Sequence, residues 1–72
     1  MTIDGMTVHS SVTEKRVIAT AQRYQLTLDN PGICIACGAD AEGCEPDVRE
    51  YECEACGERA VYGTEELVLY FA

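Results

Sequence analysis

The stretch that decides the fold is GICIACGADAEGCEPDVREYECEACGER, residues 32–59 of a chain of 72 residues. It contains all five cysteines of the chain. Four of them form two Cys-x-x-Cys-Gly units, Cys34 with Cys37 and Cys53 with Cys56, and the fifth, Cys44, lies alone between the units. The 15 residues 38–52 separate the two units. This arrangement predicts that two distant turns bring four thiols together.

Each unit has the spacing that turns two sulfur atoms toward one point. The glycine after the second cysteine adopts a positive φ without strain, which lets backbone amides face the thiolates. Two such units about 15 to 20 residues apart are typical of a four-cysteine zinc site. Four thiolates fill the tetrahedral coordination of zinc and leave no open position, so such a site is structural. We therefore predict one zinc ion per chain, bound by Cys34, Cys37, Cys53 and Cys56.

The length of the chain supports this interpretation. A domain of 72 residues buries only about 60% of the surface that its unfolded chain exposes. Chains of this size commonly need a metal, disulfides or a partner subunit to fold. The apparent binding energy of structural zinc, on the order of 10–16 kcal/mol, is large enough to stabilise such a fold.

Three other uses of paired cysteines compete with zinc. A rubredoxin-like iron site uses similar units, although the second unit lacks the usual proline and the segment between the units is short; iron substitution stays an alternative. A thioredoxin-like redox pair needs a single Cys-x-x-Cys in a βαβ context, which this sequence does not offer. Disulfides need an oxidising compartment, and MTIDGMTVHSS at residues 1–11 lacks the basic and apolar regions of a signal peptide. We therefore expect a cytoplasmic protein with reduced thiols.

The segments CIACG, residues 34–38, and CEACGE, residues 53–58, resemble the knuckles of the zinc ribbon family. The resemblance covers about residues 32–71 and is specific for the metal site, not for a function. It implies two zinc knuckles and a three-stranded antiparallel sheet, with the four paired cysteines at the ligand positions. The chain also looks like small, largely uncharacterised zinc-ribbon proteins of phages and bacteria.

The predicted fold class is a small α+β metal-stabilised domain, in which an N-terminal helix precedes a three-stranded antiparallel zinc ribbon. Residues 1–10 show no strong periodicity and are predicted to form a flexible arm or a short strand. Residues 11–30 are predicted to form an amphipathic helix. Residues 31–72 are predicted to form the ribbon.

Within the ribbon, alternating polarity and β-branched or aromatic residues predict strands near residues 48–53, 58–62 and 66–71. A tight turn is predicted at Gly63-Thr64. The last strand, with the sequence LVLYFA, is apolar on both sides. It therefore needs the helix, a second subunit or a partner to cover one of its faces.

The helix prediction rests on a capping box and an apolar stripe. Ser11 followed by Glu14 has the spacing of a capping box, and Pro31 and Gly32 end the helical pattern. The apolar residues recur at helical spacing, and they are Val17, Ile18, Ala21, Tyr24 and Leu28. We expect this stripe to pack on the ribbon, and a homodimer is possible if the ribbon does not cover it fully.

Charge is distributed unevenly along the chain. Residues 31–72 contain ten acids and only Arg49 and Arg59, so they carry the whole net charge of −8. Many zinc ribbons bind nucleic acid through basic or aromatic residues on the sheet, but phosphate binding needs lysine and arginine. Nucleic-acid binding is therefore disfavoured. A weak alternative is binding through the helix residues Lys15, Arg16 and Arg23.

Cys44 and His9 are outside the predicted site. Acids next to Cys44 would raise its pKa, opposite to what a nucleophilic thiolate needs, so we interpret it as a small apolar packing residue. The only histidine, His9, belongs to the predicted arm and is interpreted as exposed and remote from the cysteines.

The sequence has no pattern that predicts catalysis. It lacks a phosphate-binding glycine loop and a nucleophile–histidine arrangement, and zinc bound by four thiolates cannot activate water. The expectation is a protein-protein interaction module or small regulator that is not an enzyme. The alternative is an acidic inhibitor that imitates nucleic acid, of the kind that phages direct against host or defence proteins. Salt distinguishes the two, because only the affinity of the acidic mimic should fall steeply with ionic strength.

Overall fold

The computed structural model describes residues 2–27 and 30–71 and shows a small α+β fold. Two helices and several short antiparallel strands surround a cluster of cysteines. In chain order the elements of the described residues are β1 (Thr2–Ile3), β2 (Met6–Thr7), α1 (Glu14–Thr27), β3 (Gly32–Cys34), β4 (Asp40–Ala41), β5 (Tyr51–Glu52), β6 (Arg59–Gly63) and α2 (Thr64–Phe71).

The main sheet carries the two cysteine units. Its four described strands are all antiparallel to their neighbours and lie in the order β4-β3-β6-β5. At its centre, β3 and β6 pair Gly32 with Gly63 and Cys34 with Val61. The predicted strands near 48–53 and 58–62 correspond to β5 and β6, whereas β3 and β4, which flank the first cysteine unit, were not predicted. The expected three-stranded sheet is therefore wrong in its strand count and order.

The predicted third strand at residues 66–71 is a helix, α2. The predicted turn at Gly63-Thr64 is instead the junction of β6 and α2. Thr64 and Leu67 are buried, while Val68 and Phe71 are partly buried in the core; their spacing of three or four residues is that of one helix face. The apolar residues of this run are compatible with the periodicity of a strand and with that of a helix. Packing of one helix face into the core decides for the helix.

A distant carbonyl caps α2. The backbone amides of Glu65 and Glu66 donate to the Pro46 carbonyl at 3.0 and 3.3 Å. These are the amides that an N-cap side chain normally binds, and Gly63 at that position has no side chain. A Cβ at Gly63 would overlap the carbonyl oxygen of Glu45. Glycine therefore lets the 45–46 segment approach closely enough to cap the helix.

Residues 2–7 form a hairpin of two short strands, whereas a flexible arm or a single short strand was expected within residues 1–10. Asp4 and Gly5 form its turn with φ values of 51° and 81°, as in the two-residue turns that match strand twist. Ile3 is only 1% exposed. The Tyr62 hydroxyl donates to the Asp4 carboxylate at 2.6 Å, and the Tyr70 hydroxyl donates to the same carboxylate at 3.2 Å. Burial and these hydrogen bonds attach the hairpin to the domain.

Helix α1 begins three residues later than expected. Thr13 is its N-cap, because the Arg16 amide donates to Thr13 Oγ1 at 3.2 Å; the predicted capping box of Ser11 and Glu14 is wrong. Val12 and Val17 are buried in one core cluster, at the positions of a hydrophobic staple. The predicted end of the helix was residue 30, and described helical residues extend to Thr27.

The two helices pack against each other, and α2 packs against β6. Helix α1 therefore packs on the ribbon segment as expected, but mainly through α2 and not through the strands, and its Val17 shares one core cluster with the sheet residues Ile33 and Val61. In the predicted stripe Val17 is buried, Ala21 and Tyr24 are half-buried, and Ile18 is 41% exposed. Leu28 lies outside the described residues. Neither helix of the described chain has the length and apolar character needed to cross a membrane.

Candidate metal centre

The two cysteine units have the same backbone hydrogen bonds. In the first unit, the Gly38 amide donates to the Cys34 carbonyl at 2.8 Å, and the Cys34 amide donates to the Ala39 carbonyl at 2.9 Å. In the second unit, the Gly57 amide donates to the Cys53 carbonyl at 2.8 Å, as the Cys53 amide does to the carbonyl of Glu58. Equal sequence spacing therefore produces equal turns.

A positive φ closes each turn. Gly38 has a φ of 81° and Gly57 a φ of 80°, in the region that a residue with a Cβ enters only with strain. The expected role of these glycines, which was to turn the chain around a pair of sulfur atoms, agrees with these angles.

All four paired cysteines come together in space. Their Sγ atoms lie within 4.8 Å of one another, and the Cys34–Cys56 and Cys37–Cys53 Sγ separations are both 3.7 Å. All four are free thiols. A tetrahedron with metal–sulfur bonds of about 2.3 Å has sulfur–sulfur edges of about 3.8 Å. Each of these two sulfur pairs joins one cysteine of the first unit to one cysteine of the second. The four described cysteines therefore have the geometry that a single tetrahedral metal ion needs.

Burial and backbone amides affect the thiols of the cluster in opposite directions. Burial raises the pKa of Cys34 to about 12. The backbone amide of Cys56 is the main cause that lowers the pKa of Cys53 to about 7. A cation among the four sulfur atoms favours the thiolate form of each of them. The donor set thus suits a metal ion that prefers sulfur ligands.

Arg16 connects α1 to the first cysteine unit, a contact that the sequence did not predict. Its Nη2 atom donates to the Gly38 carbonyl at 2.6 Å and to Asp40 Oδ1 at 2.9 Å. Its Nη1 atom donates to Ser11 Oγ at 3.2 Å. The sequence indicates Arg16 only as one of three helix cations, because spacing along one helix does not reveal a contact 22 residues away.

His9 also lies beside the first unit, so its predicted remoteness is wrong. Its backbone amide donates to the Ile35 carbonyl at 2.7 Å. Its Nδ1 atom is 2.8 Å from Ser11 Oγ and would be 3.1 Å from a Cβ at Gly38. Within the described residues, the cluster of possible ligands contains the four cysteines and not His9.

Cys44 occupies a packing position outside the cluster. It is 4% exposed, and burial raises the pKa of its thiol. A Cβ at Gly32 would lie 3.2 Å from its Sγ atom, so the thiol fills the space that this glycine leaves. This geometry agrees with the interpretation of Cys44 as a small apolar residue.

No protein-family model, curated protein or solved structure matches the chain. The sulfur cluster and the surfaces around it therefore carry the functional assignment.

Proposed function

We propose that the protein is a zinc-stabilised protein-protein interaction module or small regulator, built as a variant of the zinc ribbon. The cluster of four thiols, with two Sγ separations of 3.7 Å, carries this proposal. Zinc favours four thiolates in tetrahedral geometry, and one ion would connect β3, the turn after it and the second unit. Iron accepts the same geometry, so the experiment below measures which metal is bound.

The role of the metal in this proposal is structural. When bound, zinc supplies the binding energy that a small core lacks, on the order of 10–16 kcal/mol. Cys34, Cys37, Cys53 and Cys56 would occupy its four positions, which leaves none for a water or substrate. We therefore propose no catalytic activity. Reduced thiols of this kind persist in reducing compartments, which supports a cytoplasmic location.

The distribution of charge supports a protein partner over nucleic acid. Two of the three helix cations that nucleic-acid binding would need already form ion pairs, since Arg16 lies 2.9 Å from Asp40 and Arg23 lies 3.7 Å from Glu42. The second cysteine unit and the strands beside it expose acids. These same acids favour, as a second candidate, an inhibitor that imitates nucleic acid and binds a basic cleft.

A homodimer through α1 has less support than a foreign partner. It would use the apolar stripe of α1, but in this stripe Tyr24 is half-buried beside α2 and Leu28 lies outside the described residues. The apolar strand that was expected to dock on a partner is α2, with Leu67 buried and Leu69 76% exposed. Docking through the acidic half is the stronger proposal.

Metal stoichiometry tests the proposed function. We expect native mass spectrometry to give one zinc ion per chain, and chelation to abolish the far-ultraviolet circular dichroism of the fold. Cys53→Ser should have the same effect as chelation, whereas Cys44→Ser, the matched control, should retain one metal ion. A chain that stays folded after chelation, or that keeps its metal in Cys53→Ser and loses it in Cys44→Ser, would contradict the proposal.

A further inference from the structure

A groove of about 500 Å³ crosses one face of the main sheet between its outer strands, β4 and β5. This volume is in the range of ligand-binding clefts. Buried or half-buried apolar residues form the floor of the groove, namely Ala41, Cys44 and Val61. Four strands spaced about 4.8 Å apart span about 14 Å, which is the length of about four residues of extended chain.

The groove is acidic on both sides. Asp40 and Glu42 line it beside β4, and Glu52 and Glu54 line it beside β5, while no lysine or arginine of the described residues lines it. Arg16 and Arg23 neutralise the two acids beside β4. Among the described residues, neither Glu52 nor Glu54 forms an ion pair. Arg59 is the sheet partner of Glu52 but forms no ion pair with it among the described residues. The groove therefore keeps a net negative charge on the side of β5.

The metal centre of the proposed function adds to this charge. Cys53 lines the groove, and a zinc ion with four thiolates has a net charge of −2. This contribution depends on the proposed function being correct. It makes the groove unfavourable for phosphate groups and favourable for cations.

Tyr51 provides an aromatic surface in the same groove. It is 59% exposed, lines the groove and is paired with Val61 in the sheet. An exposed aromatic ring beside carboxylates attracts ammonium and guanidinium groups through its π face. The aliphatic stems of lysine and arginine can lie on the apolar floor while their charged ends reach the acids.

We propose that this groove binds a short, extended, lysine- or arginine-rich segment of a protein partner. Three features of the groove agree on this occupant: its span of about four extended residues, its apolar floor, and its pairing of two free carboxylates with an exposed tyrosine. A partner whose docking surface is itself acidic is excluded by the same charges.

The test measures binding of a labelled basic peptide to the full-length, zinc-loaded chain. The probe is a fluorescein-labelled hexapeptide of alternating arginine and alanine, and a hexapeptide of alternating glutamate and alanine is its control. Fluorescence anisotropy should give a Kd below about 100 μM for the basic peptide, no binding of the acidic one, and weaker binding as ionic strength rises.

Two double variants with the same change in net charge distinguish binding in the groove from general electrostatic attraction to an acidic chain. Glu52→Gln with Glu54→Gln should raise the Kd at least about fivefold, because two exposed charge contacts are lost. Glu58→Gln with Glu65→Gln, at exposed positions outside the groove, should change it less than about twofold. Tyr51→Ser should raise it about threefold.

The outcomes distinguish this proposal from the proposed function. Native mass spectrometry counts the metal in each sample, so a zinc-loaded chain that does not bind the basic peptide overturns the groove proposal alone. Equal weakening by both pairs of substitutions overturns it as well, as does binding of a labelled single-stranded DNA in preference to the peptide. A chain that takes up no metal instead contradicts the proposed function.

Discussion

The first cysteine unit, residues 34–38, and the second, residues 53–57, differ in what surrounds them. The first is enclosed by α1 and the segment after the hairpin, through contacts from His9, Ser11 and Arg16. The second extends into solvent, and a Cβ at Gly57 would meet no described atom within 4 Å. Two turns of the same geometry therefore have different surroundings. The first turn packs against the rest of the domain, and the second is exposed to solvent beside the acidic groove.

The largest expected difference between the units concerns their cysteines. Cys34 is fully buried, whereas Cys56 is exposed. If the proposed metal is bound, Cys34→Ser should lose both metal and fold, because it removes a ligand from the core and structural zinc contributes on the order of 10 kcal/mol to the folding of a small domain. Cys56→Ser should still bind one metal ion, more weakly, because water can occupy an exposed fourth position.

Native mass spectrometry and circular dichroism during metal titration would measure both effects. Equal metal affinity of the two variants would show that the surroundings of the units do not matter for ligation.

The glycines that close the turns should differ by a smaller amount. Gly57→Ala introduces only the strain of a positive φ, about 1–2 kcal/mol. Gly38→Ala has the same strain and also places its Cβ against Ser11 Oγ and His9, which should cost about 1–3 kcal/mol more. Urea unfolding of the zinc-loaded variants gives both free energies. A Gly57→Ala variant that is the less stable of the two would contradict the described packing.

Arg16 provides a test of how α1 supports the first unit. Arg16→Met removes the donors to the Gly38 carbonyl and Asp40 and should lower the free energy of unfolding by about 1–2 kcal/mol. Lys15→Met is the matched control on the same helix and should change it by less than about 0.5 kcal/mol. Urea unfolding at constant zinc measures both, and equal effects would argue against the Arg16 contact.

The smallest change in the free energy of unfolding at neutral pH is expected for a substitution of Tyr62. This residue pairs with Ile33 of β3, next to the first unit, and donates a hydrogen bond to Asp4 of the hairpin. Burial, followed by the hydrogen bond to Asp4, raises its pKa above the ordinary value of 10.0. The folded protein therefore retains a proton that the unfolded chain releases above about pH 10, so stability falls as pH rises from there. Tyr62→Phe should remove this loss, at a cost of about 1 kcal/mol at pH 7.

The matched control is Tyr51→Phe, because Tyr51 is 59% exposed. In Tyr51→Phe, the free energy of unfolding measured between pH 8 and about pH 11 should change with pH as steeply as it does in the native protein. An unchanged slope in Tyr62→Phe would show that another group controls the alkaline transition.

The grouping of the four cysteines was predictable because it depends on local spacing. A Cys-x-x-Cys-Gly unit determines its own turn, and two units at this separation have few other uses. The contacts of Arg16 and His9 were not predictable, since they depend on how α1 and the hairpin pack on the first unit. The hairpin itself had a signal, because Asp4-Gly5 is a common two-residue turn, although its strands are only two residues each.

The error at α2 has a different cause. TEELVLYF, residues 64–71, is short and apolar on several sides, and such runs do not distinguish strand from helix by periodicity alone. The distinguishing contact is the Pro46 carbonyl at the start of the helix, which is supplied from 19 residues earlier in the chain. Glu65 and Glu66 in the first turn were the available local signal for a helix.

The hydrogen bonds from Tyr62 and Tyr70 to Asp4 have a consequence for the order of events on the ribosome. Synthesis proceeds toward the C-terminal end, so residues 2–7 leave the exit tunnel before the partners of Asp4, which are made 58 and 66 residues later. The two cysteine units emerge between these times, before the two tyrosines that donate to Asp4. Asp4 is therefore synthesised well before its two hydrogen-bond donors, and the hairpin reaches its final position only after Tyr62 and Tyr70 have emerged.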